Sequence, residues 1–107
     1  MGKTEDLHKK IDDANMRLHA NTTWRHYKGG IYSVKGFAID TDNGEVRVLY
    51  NRLNGDPHIM DSRIIYARPF KEWFEDVEPE PGVFVPRFKR IRKAEAWITD
   101  DQEIFTN

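Results

Sequence analysis

The dipeptide Asn43-Gly44, set in "FAIDTDNGEVRVLY", constrains this chain more than any other feature. Asn and Gly tolerate the positive φ angles of a type I′ turn, and the flanking residues alternate with a period of two, so the sequence predicts a β-hairpin. A two-residue loop fixes the register. Asp42 then faces Glu45, Thr41 faces Val46, Asp40 faces Arg47, Ile39 faces Val48, Ala38 faces Leu49 and Phe37 faces Tyr50. One face gathers Phe37, Ile39, Val46, Val48 and Tyr50, and the other carries the opposite charges of Asp40 and Arg47.

Ahead of the hairpin, "TEDLHKKIDDANMRLHAN" places Leu7, Ile11, Ala14 and Leu18 at helical spacing. Thr4 suits the N-cap, Glu5 and Asp6 suit the positive end of the dipole, and Asn21 suits the C-terminal cap. So short a helix is marginal alone, and its apolar stripe must dock on the β-domain or on the same helix of a second copy, a homodimer. After the hairpin, "NRLNGDPHIMDS" reads as a loop with Asn54-Gly55 and Asp56-Pro57 turns. "RIIYARPF" reads as a strand that Pro69 ends or edges, and "FKEWFEDV" as one helical turn burying Phe70 and Phe74. "EPEPG" is a break, and a closing strand is expected around Val85 to Ile91. Beyond it Trp97, Ile98, Ile104 and Phe105 imply further packing. The expected division is an N-terminal helix over 1–21, a β-domain over 22–91 and a C-terminal extension over 92–107.

Composition narrows the function. The 107 residues suit one domain that buries roughly two-thirds of the surface of its unfolded chain. With 17 Lys or Arg against 18 Asp or Glu, the net charge of -1 exerts no global pull toward nucleic acid or anionic membrane, so a charged partner must meet a local patch. The absence of cysteine excludes disulfides, thiol catalysis and thiolate metal sites. The opening "MGKTEDLHKK" holds no signal-peptide core, and no apolar run approaches the roughly 20 residues of a membrane-spanning helix. A cytoplasmic protein without membrane contact is the expectation.

The segments "HYKGGIYSVKGFA", "VRVLYNRL", "YARPFKEWFEDV" and "VPRF", in this order and spacing, resemble the small bacterial and phage family known as domain of unknown function 1653, over about residues 24–91. The matching positions are His26, Tyr27, Lys28 and Gly29, then Tyr66, Arg68, Pro69, Phe70, Trp73 and Val77, and finally Val85 to Phe88. The resemblance implies a small SH3-like β-barrel for the middle of the chain; with the N-terminal α-helix and the C-terminal extension, which lie outside the match, the expected fold class is mainly β. It implies no reaction. Two departures stand out. The family's Tyr-Arg after the hairpin is Tyr50-Asn51-Arg52 here, which in a strand turns the basic side chain to the opposite face, and the loop before Tyr66 is longer.

The residue pattern offers three candidate sites. Tyr32, Tyr50, Arg52, Tyr66, Arg68 and Trp73 form a set in which aromatic faces stack on a ligand and Arg forks hold phosphate or carboxylate. Packing of the same rings into the core is the competing reading. Asp56, His58 and Asp61 share one loop and carry metal-ligating atoms, but turn chemistry explains that loop, so no metal and no cofactor is expected. "RFKRIRK" is basic enough to track phosphates, yet it also suits an edge strand guarded by charge and neutralised by the acidic "KEWFEDVEPEPG" before it. No acid-base pair and no nucleophile elbow is visible, so an enzyme is not expected. The reading favoured on sequence is a non-enzymatic module that binds a protein or peptide across the aromatic groove. The alternative is a binder of a nucleotide-like ligand or nucleic acid, such as a phage-encoded sequestering factor.

Overall fold

The computed structural model describes residues 2–92. Helix α1 (Gly2–Leu18) leads into strands β1 (Thr23–His26), β2 (Ile31–Ile39), β3 (Val46–Arg52) and β4 (Tyr66–Pro69). A single helical turn α2 (Phe70–Trp73) follows, then β5 (Asp76–Glu80), β6 (Val83–Pro86) and β7 (Phe88–Ile91). The fold is mainly β, as the sequence predicts. The strands form an antiparallel five-stranded sheet ordered β4-β3-β2-β1-β7 and a separate two-stranded ribbon of β5 and β6. Among the described residues the sheet does not close on itself, because its edge strands β4 and β7 are not hydrogen-bonded to each other. They meet instead through side chains. The Arg68 guanidinium of β4 lies 5.7 Å from the ring centroid of Phe88 on β7, and Trp73 stacks on the same ring at 3.8 Å.

The β2–β3 hairpin forms, but its register differs by two residues from the one a type I′ turn dictates. Ile39 faces Val46, Ala38 faces Arg47 and Phe37 faces Val48. The loop runs over Thr41–Gly44 and closes with the Asp40 amide bonded to the Glu45 carbonyl at 2.8 Å and the Gly44 amide to the Asp40 carbonyl at 2.7 Å. In it only Gly44 takes a positive φ, 72°. Side-chain bonds win over the tighter turn: Asp40 accepts the Asp42 amide at 2.8 Å and Asn43 accepts the Glu45 amide at 2.9 Å. A shift of two keeps every side chain on its predicted face. Asp40 still reaches Arg47, at 2.9 Å, although the two no longer stand opposite each other.

A bulge between Val34 and Gly36 then changes the parity of β2. Tyr32 and Val34 thereby join Phe37 and Ile39 on the face shared with Val46, Val48, Tyr50 and Arg52 of β3. The cross-strand pairs extend this inner face to Tyr66 and Arg68 of β4, Trp24 and His26 of β1, and Phe88 of β7. Its core consists of Leu18, Trp24, Val34, Val48, Tyr50, Trp73 and Phe88.

Helix α1 docks on this body through its C-terminal half, where Ala14 and Leu18 are buried, whereas Leu7 is exposed. The helix starts at Gly2, ahead of the predicted cap Thr4, and ends where His19 turns left-handed (φ 61°), two residues before Asn21, which is also left-handed. Arg17 lies about 5 Å from the Phe70 and Phe74 ring centroids, and Lys10 donates to the Gly44 carbonyl at 2.9 Å. In α2 the fully buried ring is Trp73, while Phe74 is exposed, so the predicted burial of Phe74 is reversed. The expected break at "EPEPG" is β5 and its turn, and the expected closing strand divides at Arg87 into β6 and β7. The packing expected of Trp97, Ile98, Ile104 and Phe105 lies outside the described residues.

Candidate functional site

The inner face has a floor and a rim. Trp73 and Tyr50 are floor: Trp73 has no exposed surface and Tyr50 is 6% exposed, so neither presents a ring to a ligand. Of the six predicted site residues these two are core, and Trp73 drops out of any open groove. Tyr32, Tyr66, Arg52 and Arg68 are half-buried at the rim. The Tyr32 ring meets Tyr50 at 5.1 Å and Tyr66 at 6.3 Å, both edge-to-face, and Tyr66 tilts over Tyr50 at 5.7 Å.

The two arginines stand at opposite ends of the tyrosine row. Arg68 pairs with Val48 and Tyr32 with Arg52, four residues along β3, which separates the two backbones by about 13 Å. The Arg52 guanidinium lies 5.5 Å from the Tyr32 ring centroid and donates to Asn54 Oδ1 at 3.0 Å and to Tyr32 Oη at 3.4 Å. It pairs with no carboxylate among the described residues. Arg68 reaches Glu72 at 3.4 Å through Nη1, while its Nε, buried from solvent, has no acceptor.

His26 reports the field they make. Its imidazole is held below the ordinary value of 6.5, first by burial and then by the positive charges of Arg68, Arg87, Lys28 and Arg52. The fields of four cations thus add to burial in disfavouring its protonation. Sequence reasoning left His26 unassigned and missed Phe88. The Phe88 ring lies 5.0 Å from His26 and 6.1 Å from Tyr32, and, buried like Tyr50 and Trp73, it belongs to the floor beneath the rim. The basic run "RFKRIRK" held the signal, since its aromatic marks the inward position of an edge strand.

The departure at Tyr50-Asn51-Arg52 is resolved by the pairing. Arg52 shares the face of Tyr32 and Tyr50, and Asn51 turns to the other face, where its Nδ2 pins the loop by donating to Ser62 O at 3.2 Å and Ile64 O at 2.8 Å. In that loop Asp56 accepts the His58 amide at 2.8 Å and Asp61 is forked by Arg63 down to 2.6 Å, so both carboxylates serve turns. Among the described residues no group of three His, Cys, Asp or Glu is placed to hold a metal ion, and no helix is long and apolar enough to cross a membrane. Within the basic run, Arg87 meets Glu75 at 3.5 Å.

A family model described as protein of unknown function (DUF1653) matches residues 22–90. The crystal structure of a DUF1653 protein from Bordetella bronchiseptica is similar, with a TM-score of 0.56 and 28% identity over 72% of this chain and 92% of that one. No curated protein matches the chain.

Proposed function

The chain belongs to the DUF1653 family, and from that premise we propose that it is a non-enzymatic binding module for a small anionic ligand carrying a planar ring, nucleotide-like in chemistry. The half-buried tyrosine pair Tyr32 and Tyr66, flanked by the Arg52 guanidinium on Tyr32 and by the acceptorless Nε of Arg68, is the observation that supports this reading. Tyr32 and Tyr66 supply half-buried rings for stacking, Arg52 supplies a guanidinium with no carboxylate partner among the described residues, and Arg68 supplies a buried N–H that lacks an acceptor. Such a donor gains a full hydrogen bond when an anion arrives. A peptide laid across Tyr50 and Trp73 is the weaker reading, since those two rings are inside the core.

We read the curled sheet as an SH3-like barrel whose last gap is filled by side chains, in a cytoplasmic protein of bacterial or phage origin. Native mass spectrometry of freshly purified protein, followed by titration with nucleoside 5′-monophosphates, tests the binding function. The expected result is a nucleotide-mass adduct or saturable binding that weakens steeply with ionic strength and falls at least tenfold in Arg52→Ala, about 1.4 kcal/mol. No adduct and no binding at millimolar nucleotide, or binding indifferent to Arg52, overturns it.

A further inference from the structure

The β1–β2 turn, with Gly29 and Gly30, and the start of the β3–β4 loop, with Asn54 and Gly55, meet at the Arg52 end of the tyrosine row. Asn54 ties them together through both polar atoms of its carboxamide. Its Oδ1 accepts the Ile31 amide at 2.9 Å and Arg52 Nε at 3.0 Å, and its Nδ2 donates to the Gly29 carbonyl at 3.2 Å. The Leu53 amide adds a bond to the Ile31 carbonyl at 2.7 Å, so this clamp is anchored in the sheet.

The clamp decides which edge of Arg52 faces outward. Its Nε is spent on Asn54, and Nη1 reaches Tyr32 Oη at 3.4 Å, with the guanidinium carbon 5.5 Å from the Tyr32 ring centroid. Nη2 has no acceptor among the described residues. Two glycines keep the arrangement open. A β-carbon on Gly55 would stand 3.3 Å from Nη2, and one on Gly30 would fall 2.8 Å from Tyr32 Cε2 and 2.9 Å from its Oη. An arginine already fixed at Nε gives up little rotamer freedom when an anion arrives, which is the advantage of preorganisation.

We infer, on the nucleotide-like reading above, that Asn54 is the positioning residue of the ligand site: it holds Arg52 over Tyr32 so that the Nη groups meet the ligand's anionic group end-on. The side-on fork through Nε and Nη2, which arginine commonly offers to a carboxylate or phosphate, is closed because Asn54 Oδ1 occupies half of it. Asn54 itself touches no ligand in this arrangement. Its influence falls on the charged part of the ligand and passes through Arg52, leaving stacking on Tyr66 untouched.

Titration of the full chain with adenosine 5′-monophosphate and with adenosine, which keeps the ring and lacks the anion, tests the inference. Asn54→Ala is expected to weaken the monophosphate about tenfold and adenosine by less than about twofold. In an Arg52→Ala background the same substitution is expected to weaken the monophosphate no further, as befits a residue that acts through another. NMR of the arginine side chains reads the geometry directly. The Arg52 Nε–H is expected to exchange slowly in the natural chain and rapidly in Asn54→Ala, and added monophosphate is expected to move the natural chain's Nη signals while Nε stays in place. That last measurement needs no variant, so it decides the matter even where Asn54→Ala fails to fold. Equal losses for the two ligands, additive losses in the Asn54/Arg52 double variant, or a ligand-induced shift at Nε overturns the inference. A natural chain that binds no monophosphate overturns the function proposed above and the end-on approach with it, and the exchange rate of the Arg52 Nε–H then decides whether the clamp exists.

Discussion

Thr22 does the most with the fewest atoms. Its hydroxyl donates toward the helix-end carbonyls of His19, at 2.7 Å, and Leu18, at 3.2 Å, and accepts the Trp24 indole N–H at 2.8 Å. Both Thr22 and Trp24 are buried, so water cannot replace the lost partner. Thr22→Val keeps the shape, removes the oxygen and leaves the indole donor unsatisfied, a cost of about 1–3 kcal/mol. Urea denaturation is expected to show that loss for Thr22→Val and to show most of it recovered in Thr22→Ser. Nothing in the sequence singled out this residue, because a hydroxyl bonding both a helix end and a ring two residues on is a product of tertiary placement. The aromatic candidates were legible as a set, and their division into floor and rim was not. Tyr50 and Tyr66 read alike in sequence, and only the α2 turn and β7 decide which one lies beneath Trp73 and Phe88.

Among elements, the β2–β3 hairpin shows what a turn signal specifies. Asn43-Gly44 located the hairpin and its inward face, yet the loop is two residues longer because Asp40 and Asn43 bond backbone amides inside it. Gly44 sits at φ 72°, where a β-carbon is disfavoured. Gly44→Ala is therefore expected to lower stability by about 1–2 kcal/mol in thermal or urea unfolding, and Gly44→Asn by less. The Val34/Gly36 bulge was not legible, since one extra residue leaves no mark in a period-two pattern except the change of parity it causes. Helix α1 was legible as an amphipathic segment; which half of it docks was not, because Leu7 and Leu18 carry the same side chain and differ only in how far they reach over the sheet. "EPEPG" misled for the opposite reason. Pro79 and Pro81 read as a break, and an exposed ribbon with no further strand beside it among the described residues is the setting in which a strand tolerates proline.

At the scale of the whole molecule, charge placement matters more than charge balance. A net charge of -1 coexists with four cations whose fields reach His26. Because the folded imidazole titrates below 6.5, the unfolded chain takes up this proton first as pH falls. Stability is then unaffected by His26 above about pH 6.5, and declines as pH drops from there toward the folded value. Chemical denaturation from pH 7.5 to 5 is expected to show that decline in the natural chain and a shallower one in His26→Gln. An anion bound among the same cations would move the imidazole upward, so histidine NMR would register occupancy of the site. The unclosed seam between β4 and β7 bears on how such an occupant arrives. Arg68, Phe88 and Trp73 bridge that seam without a backbone hydrogen bond between the strands, so admitting a guest there calls for side-chain rotation and not for unzipping a ladder. Opening that seam would break side-chain contacts alone, yet because Trp73 and Phe88 are buried and stacked it is slower than the nanosecond rotamer exchange of exposed residues.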